Sequence, residues 1–220
     1  MLKTWEDLDF YYDFNLRGFC MCSFLDSIFI IGGCYRFGYT NIDMKRSCVV
    51  FNTITKKWKE ASDMNDYRTT ASCTVFEGRI VVSGGINDRA RCIRTVETYD
   101  HVADTWTFMP NMVNKSYKHN LIAMSNKLFA FGCGLLSNFC EVYDTMCKKF
   151  VVIKSPPKFA YFNVQQAVSV GKVIMVFRIY STKMAIYDTD KNEWSVEPFE
   201  VTKNVGDFYC GKVPSLKCFT

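Results

Sequence analysis

Four times along this chain an aromatic residue is followed, seven positions later, by another. Phe51 precedes Trp58, Tyr99 precedes Trp106, Tyr143 precedes Phe150 and Tyr187 precedes Trp194. The residue after each first aromatic is Asn52, Asp100, Asp144 or Asp188. A short amide or carboxylate there can accept a hydrogen bond from its own backbone two residues on and close a turn. Chance in an aromatic-rich chain does not give four copies with one spacing and one kind of turn residue. The second aromatics stand at 58, 106, 150 and 194, a period of about 45 residues, which belongs to propeller blades or helical arrays.

The segments between the aromatics decide between the two. They hold short β-rich runs, "SIFIIGG", "RIVVSGG", "KLFAFGCG" and "KVIMVF", and no helical spacing of apolar residues. Such runs bounded by turn signals are strands. Counting six residues back from Gly32, Gly84, Gly132 and the equivalent Phe177 gives Asp26, Gly78, Asn126 and Gly171. These residue types tolerate the positive φ of a tight hairpin. Each hairpin joins an inner strand ("FCMCSFL", "ASCTVF", "NLIAM", "QQAVSV") to the run after it. Each repeat is then four antiparallel strands, and such sheets bury their faces by stacking around an axis.

The sequence here resembles the kelch family of β-propellers. The matching marks are Gly32-Gly33, Gly84-Gly85, the Tyr-Asp pairs, and Trp58, Trp106 and Trp194. The later repeats depart from it, with Gly132-Cys133-Gly134 in the third and Phe177-Arg178 in the fourth. The expected fold is all-β, a kelch propeller with four complete four-stranded blades at 17–60, 66–108, 115–152 and 160–196. Residues 1–16 read as the end of a preceding blade, because Trp5 precedes Trp58 and Arg17 follows Trp5 much as Arg68 follows Trp58. Residues 197–220 read as a closing strand and tail. The resemblance makes this an incomplete six-bladed ring, the C-terminal part of a BTB–kelch protein whose BTB domain is absent from the chain.

Composition bears on compartment and partners. The N-terminal "MLKTWEDLDF" is acidic where a signal peptide needs an apolar core, and no apolar run approaches the ~20 residues that span a bilayer. The 11 cysteines are odd in number, scattered, and without a CxxC pair. They read as reduced, small hydrophobic residues in a reducing, cytoplasmic setting. The net charge of +5 is modest for this length and comes without a nucleic-acid motif. Neither nucleic acid nor a membrane is an expected partner.

No enzyme signature emerges. A copper oxidase on a kelch-like propeller needs imidazole and phenolate ligands converging on one metal. The two histidines, His101 in an outer turn and His119 at the start of an inner strand, fall in different blades. No GxSxG, P-loop or HExxH pattern occurs. The expectation is a binding module with no catalytic residue, metal or cofactor.

Strand alternation places the loops after the glycines on one face together with the links between blades. Two of these loops are long and basic, "CYRFGYTNIDMKR" and "INDRARCIRT". Arginines beside aromatics are enriched at interface centres, so the candidate partner-binding residues are Arg36, Tyr39, Arg68, Arg89, Arg91 and Arg94. The kelch resemblance implies that this face takes short acidic peptides, through arginines at the positions of Arg68 and Arg36. The last two blades match only through Arg178. It further implies substrate recognition for a cullin–RING ubiquitin ligase, reached only through a BTB domain. The alternative is a kelch protein that binds actin and the cytoskeleton.

Overall fold

A computed structural model of the chain describes residues 15–37, 41–124, 126–133, 138–155, 164–178 and 183–198. Among them every regular element is a strand, and no helix is long and apolar enough to cross a membrane. The first blade is β1 (Cys20–Phe24), β2 (Ser27–Ile31), β5 (Cys48–Asn52) and β6 (Lys57–Ala61), with a two-stranded insert, β3 (Cys34–Phe37) and β4 (Asn41–Met44). The second is β7 (Ser72–Phe76), β8 (Arg79–Ser83), β9 (Val96–Asp100) and β10 (Thr105–Met109). The third is β11 (Asn120–Met124), β12 (Lys127–Cys133), β13 (Asn138–Asp144) and β14 (Lys149–Val152). The fourth is β15 (Val164–Val170), β16 (Val173–Arg178), β17 (Lys183–Asp188) and β18 (Glu193–Pro198). Each four-stranded sheet is antiparallel and ordered as the chain runs. The expected end pieces, 1–16 and 197–220, fall almost wholly outside the described residues.

The seven-residue spacing is a register. Phe51 lies directly across from Trp58, Tyr99 from Trp106, Tyr143 from Phe150 and Tyr187 from Trp194. Their rings pack at 4.8, 4.9, 5.3 and 5.0 Å between centroids. All four turns close as the sequence predicts. The Oδ1 of Asn52, Asp100, Asp144 and Asp188 accepts the backbone N–H groups two and three residues on. Those donors favour the charged carboxylate and hold Asp100, Asp144 and Asp188 below the usual carboxylate range.

The core lies between the sheets. One apolar cluster joins blades one and two, a second joins two and three, and a third joins three and four. The inner strands β1, β7, β11 and β15 run side by side in that order, as blades stacked around an axis require. Trp106 is buried in the first joint, and its indole N–H reaches back to the Ser62 carbonyl at 2.8 Å. Trp194 repeats the bond to the Lys154 carbonyl at 2.9 Å. These tryptophans tie each blade to the link that precedes it.

Two register expectations are corrected. Tyr187 pairs through Ile174 as Tyr99 does through Ile80, so Arg178, not Phe177, holds the position of the first glycine. Arg17 bridges Cys34 as Thr69 bridges Ile86, so Arg17 is the counterpart of Thr69, and Leu16 that of Arg68. In the first hairpin the left-handed residue is Leu25 rather than Asp26.

Candidate binding face

The glycine pairs begin this face. Gly32 and Gly84 have positive φ, and a Cβ on either would run into the backbone carbonyl of Arg68 or Ser116 in the following link. Only glycine lets loop and link approach this closely. From there the chain rises in two hairpin-like loops. The first is β3–β4. The second is held by the Ile86–Cys92 bridge and by Asn87, whose Oδ1 accepts the N–H groups of Arg89 and Arg91. The bases of the two loops match atom for atom: Lys45 N–H donates to Gly33 O, and Ile93 N–H donates to Gly85 O.

Each link then locks under its loop. Met64 N–H donates to Arg46 O and Arg68 N–H to Lys45 O. In the next repeat Met112 N–H donates to Arg94 O and Ser116 N–H to Ile93 O. The loops and links therefore form one continuous face over blades one and two, away from the Asx turns. These equivalences make Arg46 the counterpart of Arg94.

Below the face, each link is fastened by a buried carboxylate. Glu97 accepts the backbone N–H groups of Asn65 and Asp66 and the Asn65 amide. Glu141 accepts those of Val113 and Asn114 and the Asn114 amide. Both are wholly buried. Their equivalents in blades one and four are Val49 and Ala185. The available signal was a Glu two residues before Tyr99 and Tyr143 on a strand that faces no water, and sequence reasoning missed it.

Arg68 belongs to this fastening and not to a partner. It is 1% exposed. Its guanidinium meets Glu97 at 2.9 Å and donates to the Gly84 and Thr95 carbonyls and to Thr95 Oγ1. The expectation that Arg68 contacts a ligand is therefore corrected. Every donor it has is used inside, as a buried charge requires.

The remaining candidates divide by environment. Arg36 pairs through its backbone with Ile42 in the β3–β4 hairpin, its side chain lies outside the described set, and Tyr39 lies outside the described residues. Arg89, Arg91 and Arg94 are exposed on the second loop. Among the described residues no carboxylate lies within ion-pair distance of these three. Two cations of the first loop are paired instead: Lys45 holds Asp43 at 2.7 Å, and Arg46 holds Asp63 at 3.2 Å while lying over the Tyr67 ring. Asn111 stands where Asp63 does, which leaves Arg94 without that partner. Lys115, near Cys92, and Lys118 add exposed positive charge beside the second loop.

The two histidines stay apart. His101 sits in the turn after β9 and meets the Phe24 ring edge-on at 5.0 Å. His119 is buried between Gly84 and Gly132, with Nε2 2.7 Å from Ser83 Oγ and no partner for Nδ1. Burial, with the Arg68 guanidinium nearby, pushes His119 down to about 3. This Ser–His contact is no hydrolytic pair, since Ser83 is wholly buried and, among the described residues, no carboxylate orients the ring. Among the described residues no three His, Cys, Asp or Glu side chains converge as metal ligands.

Comparison with known proteins agrees with this architecture. The family model for the kelch motif matches residues 67–113. Kelch domain-containing protein 7A of Mus musculus is 28% identical over 121 residues, which is 54% of this chain and 15% of that protein. An F-box/kelch-repeat protein of Arabidopsis thaliana is 28% identical over 194 residues, 80% of this chain and 49% of that one. A kelch repeat and BTB domain-containing protein of Caenorhabditis elegans is 31% identical over 135 residues, 58% and 22% of the two chains. The chain thus spans half or less of the length of these relatives. Among solved structures, YjhT superposes with a TM-score of 0.65 at 13% identity, over 84% of this chain and 66% of that one. The fold defines an all-β propeller of stacked four-stranded blades. The chain is a kelch-repeat protein.

Proposed function

We propose that the chain is a protein-recognition module that captures an acidic segment of its partner on the loop face of blade two. Arg89, Arg91 and Arg94 supply the contacts, in a reducing, cytoplasmic setting. One observation carries the reading: among the described residues, three exposed arginines on a loop braced by Asn87 lack the carboxylates that pair with Lys45 and Arg46 on the equivalent loop of blade one. Each guanidinium offers a carboxylate a bidentate pair of donors, and a braced loop loses little freedom on binding. Relatives named for BTB or F-box domains support an adaptor role, in which the propeller selects substrates for a cullin–RING ubiquitin ligase and another domain meets the ligase. The test is affinity capture with mass spectrometry, comparing the parent with R89E/R91E/R94E. Partners rich in acidic segments, lost from the folded variant and eluted by salt, support the reading. An unchanged set of partners overturns it.

A further inference from the structure

Four thiols crowd the joint between the first two blades. Cys20, Cys22 and Phe24 alternate along β1 and point into the cluster shared with blade two, while Cys73 and Val75 point into it from β7. The two strands are neighbouring inner strands. The Cys73 side chain lies against both Cys20 and Cys22, and Cys48 of β5 stands close to the same two. Cys20 and Cys48 are buried, Cys22 and Cys73 are half-buried, and all four are free thiols.

A small apolar side chain explains any one of these cysteines. It does not explain thiols on both sides of one joint. The strand registers make Thr74 and Leu121 the equivalents of Cys22 and Cys73 in the second joint, and Ile122 and Ala167 in the third. Those are ordinary packing residues that cannot be oxidised. The first joint alone among these three places two half-buried sulfurs face to face.

We propose that Cys22 and Cys73 form a reversible disulfide that latches blade one to blade two, with hydrogen peroxide as oxidant. In the first step the Cys22 sulfur attacks the peroxide, its S–O bond forms as the O–O bond breaks, and Cys22 becomes a sulfenic acid with release of water. In the second step the Cys73 sulfur attacks the Cys22 sulfur, the S–S bond forms, and the S–O bond breaks. The leaving oxygen takes up the Cys73 proton and departs as a second water. Two thiols are oxidised and one peroxide is reduced. A small dithiol returns both cysteines to the resting state.

The order of events follows from the surroundings. The neighbouring thiols of Cys20 and Cys22, and burial, push the Cys73 thiol well above its ordinary value, so Cys73 stays protonated and is a poor first nucleophile. Cys22 takes the oxidant and Cys73 resolves it, faster as pH rises. The latch joins the two blades that carry the β3–β4 hairpin and the Ile86–Thr95 loop. Oxidation therefore fixes the spacing of the two loops of the binding face, whichever partner that face takes.

The experiment treats the intact protein with hydrogen peroxide, alkylates the remaining thiols, and maps the unreduced digest by mass spectrometry. The expected product is one cross-linked pair, Cys22 to Cys73, two hydrogens lighter than its parts and released by dithiothreitol. The oxidised parent should melt above the reduced parent, because a long closed loop restricts the unfolded chain. Cys73→Ser should abolish both the cross-link and the rise in Tm, and leave a sulfenic acid on Cys22 that dimedone traps. Full alkylation of Cys22 and Cys73 after peroxide, with oxidation confined to exposed Cys147, overturns the proposal. A cross-link of Cys73 to Cys20 in place of Cys22 overturns the assignment equally. Both readouts come from the parent protein, so the result stands even if the serine variant fails to fold.

Discussion

Arg68 and Arg94 carry the same charge in opposite surroundings. Arg68 faces Glu97 with both side chains fully buried, and removing one partner of such a pair leaves the other charge uncompensated, at a cost of about 3–5 kcal/mol. Blade three shows how much of that cost the link can absorb. Ser116 holds the place of Arg68 there, and Glu141 accepts two backbone N–H groups and the Asn114 amide, with no arginine facing it among the described residues. Arg68→Ala should therefore destabilise by about 3 kcal/mol, the lower end of that range, whereas Arg94→Ala should stay within about 0.5 kcal/mol. Urea unfolding of the two variants checks both. Equal effects would mean that Arg68 is not the fastening it looks to be. His119 gives a pH test of the next joint, between blades two and three. Its folded value near 3 lies below the ordinary 6.5 of the unfolded chain, so the unfolded state binds the extra proton. The contribution is fully present above about pH 6.5 and is lost progressively as pH falls toward 3. His119→Gln can still bond Ser83 and does not titrate, so its Tm should decline less than the parent's between pH 6.5 and 4. Parallel curves would refute this.

At the scale of the blade, the aromatic pair across the outer hairpin joins local register to the packing of one sheet on the next. Trp106 stacks on Tyr99, fills the joint with blade one, and bonds the Ser62 carbonyl of the preceding link. Trp106→Ala should cost on the order of 3–5 kcal/mol, enough to unfold a domain of ordinary stability. Expression and melting like the parent's would place the tryptophan on the surface instead. This element was open to sequence reading because its signals are local: a fixed spacing, an Asx turn and a ring opposite a ring. Gly171 takes the positive φ expected of the blade-four hairpin, but the position of the first glycine is read one residue out, at Phe177, because no glycine stands there, and only the Tyr187–Ile174 step restores that register. The fastening of the links was hidden for a different reason. Glu97 meets Asn65, Asp66 and Arg68 across some thirty residues, and no window of sequence shows which charge a glutamate will face. Arg68 therefore groups with the exposed arginines on residue type, position and the kelch resemblance. The thiols of the first joint were legible as small hydrophobic residues, but not as neighbours, because the meeting of β1 and β7 is a property of stacked blades.

For the whole molecule, the interlocked loops and links raise three arginines of blade two that have no carboxylate within ion-pair distance among the described residues. The side chains of Arg89, Arg91 and Arg94 are exposed, and the loop's conformation rests on Asn87, the Ile86–Cys92 bridge and the N–H groups of Met112 and Ser116 in the link beneath it. R89E/R91E/R94E should then keep the parent's circular dichroism and, with surface changes of about 0.5 kcal/mol or less at each site, nearly the parent's Tm. Binding to an acidic partner should fall at least tenfold, because each reversal removes a bidentate pair and adds a repulsion. Raising the salt from physiological ionic strength should weaken the parent's binding, since exposed charges are screened beyond about 8 Å there, and should affect the variant little. The control is R46E. Arg46 is the structural equivalent of Arg94 but is already held by Asp63, so its reversal should weaken binding far less than R94E does. If R46E and R94E weaken binding equally, the partner reads overall charge and not the unneutralised loop of blade two. If neither matters in folded protein, the partner sits on the opposite face, among the Asx turns.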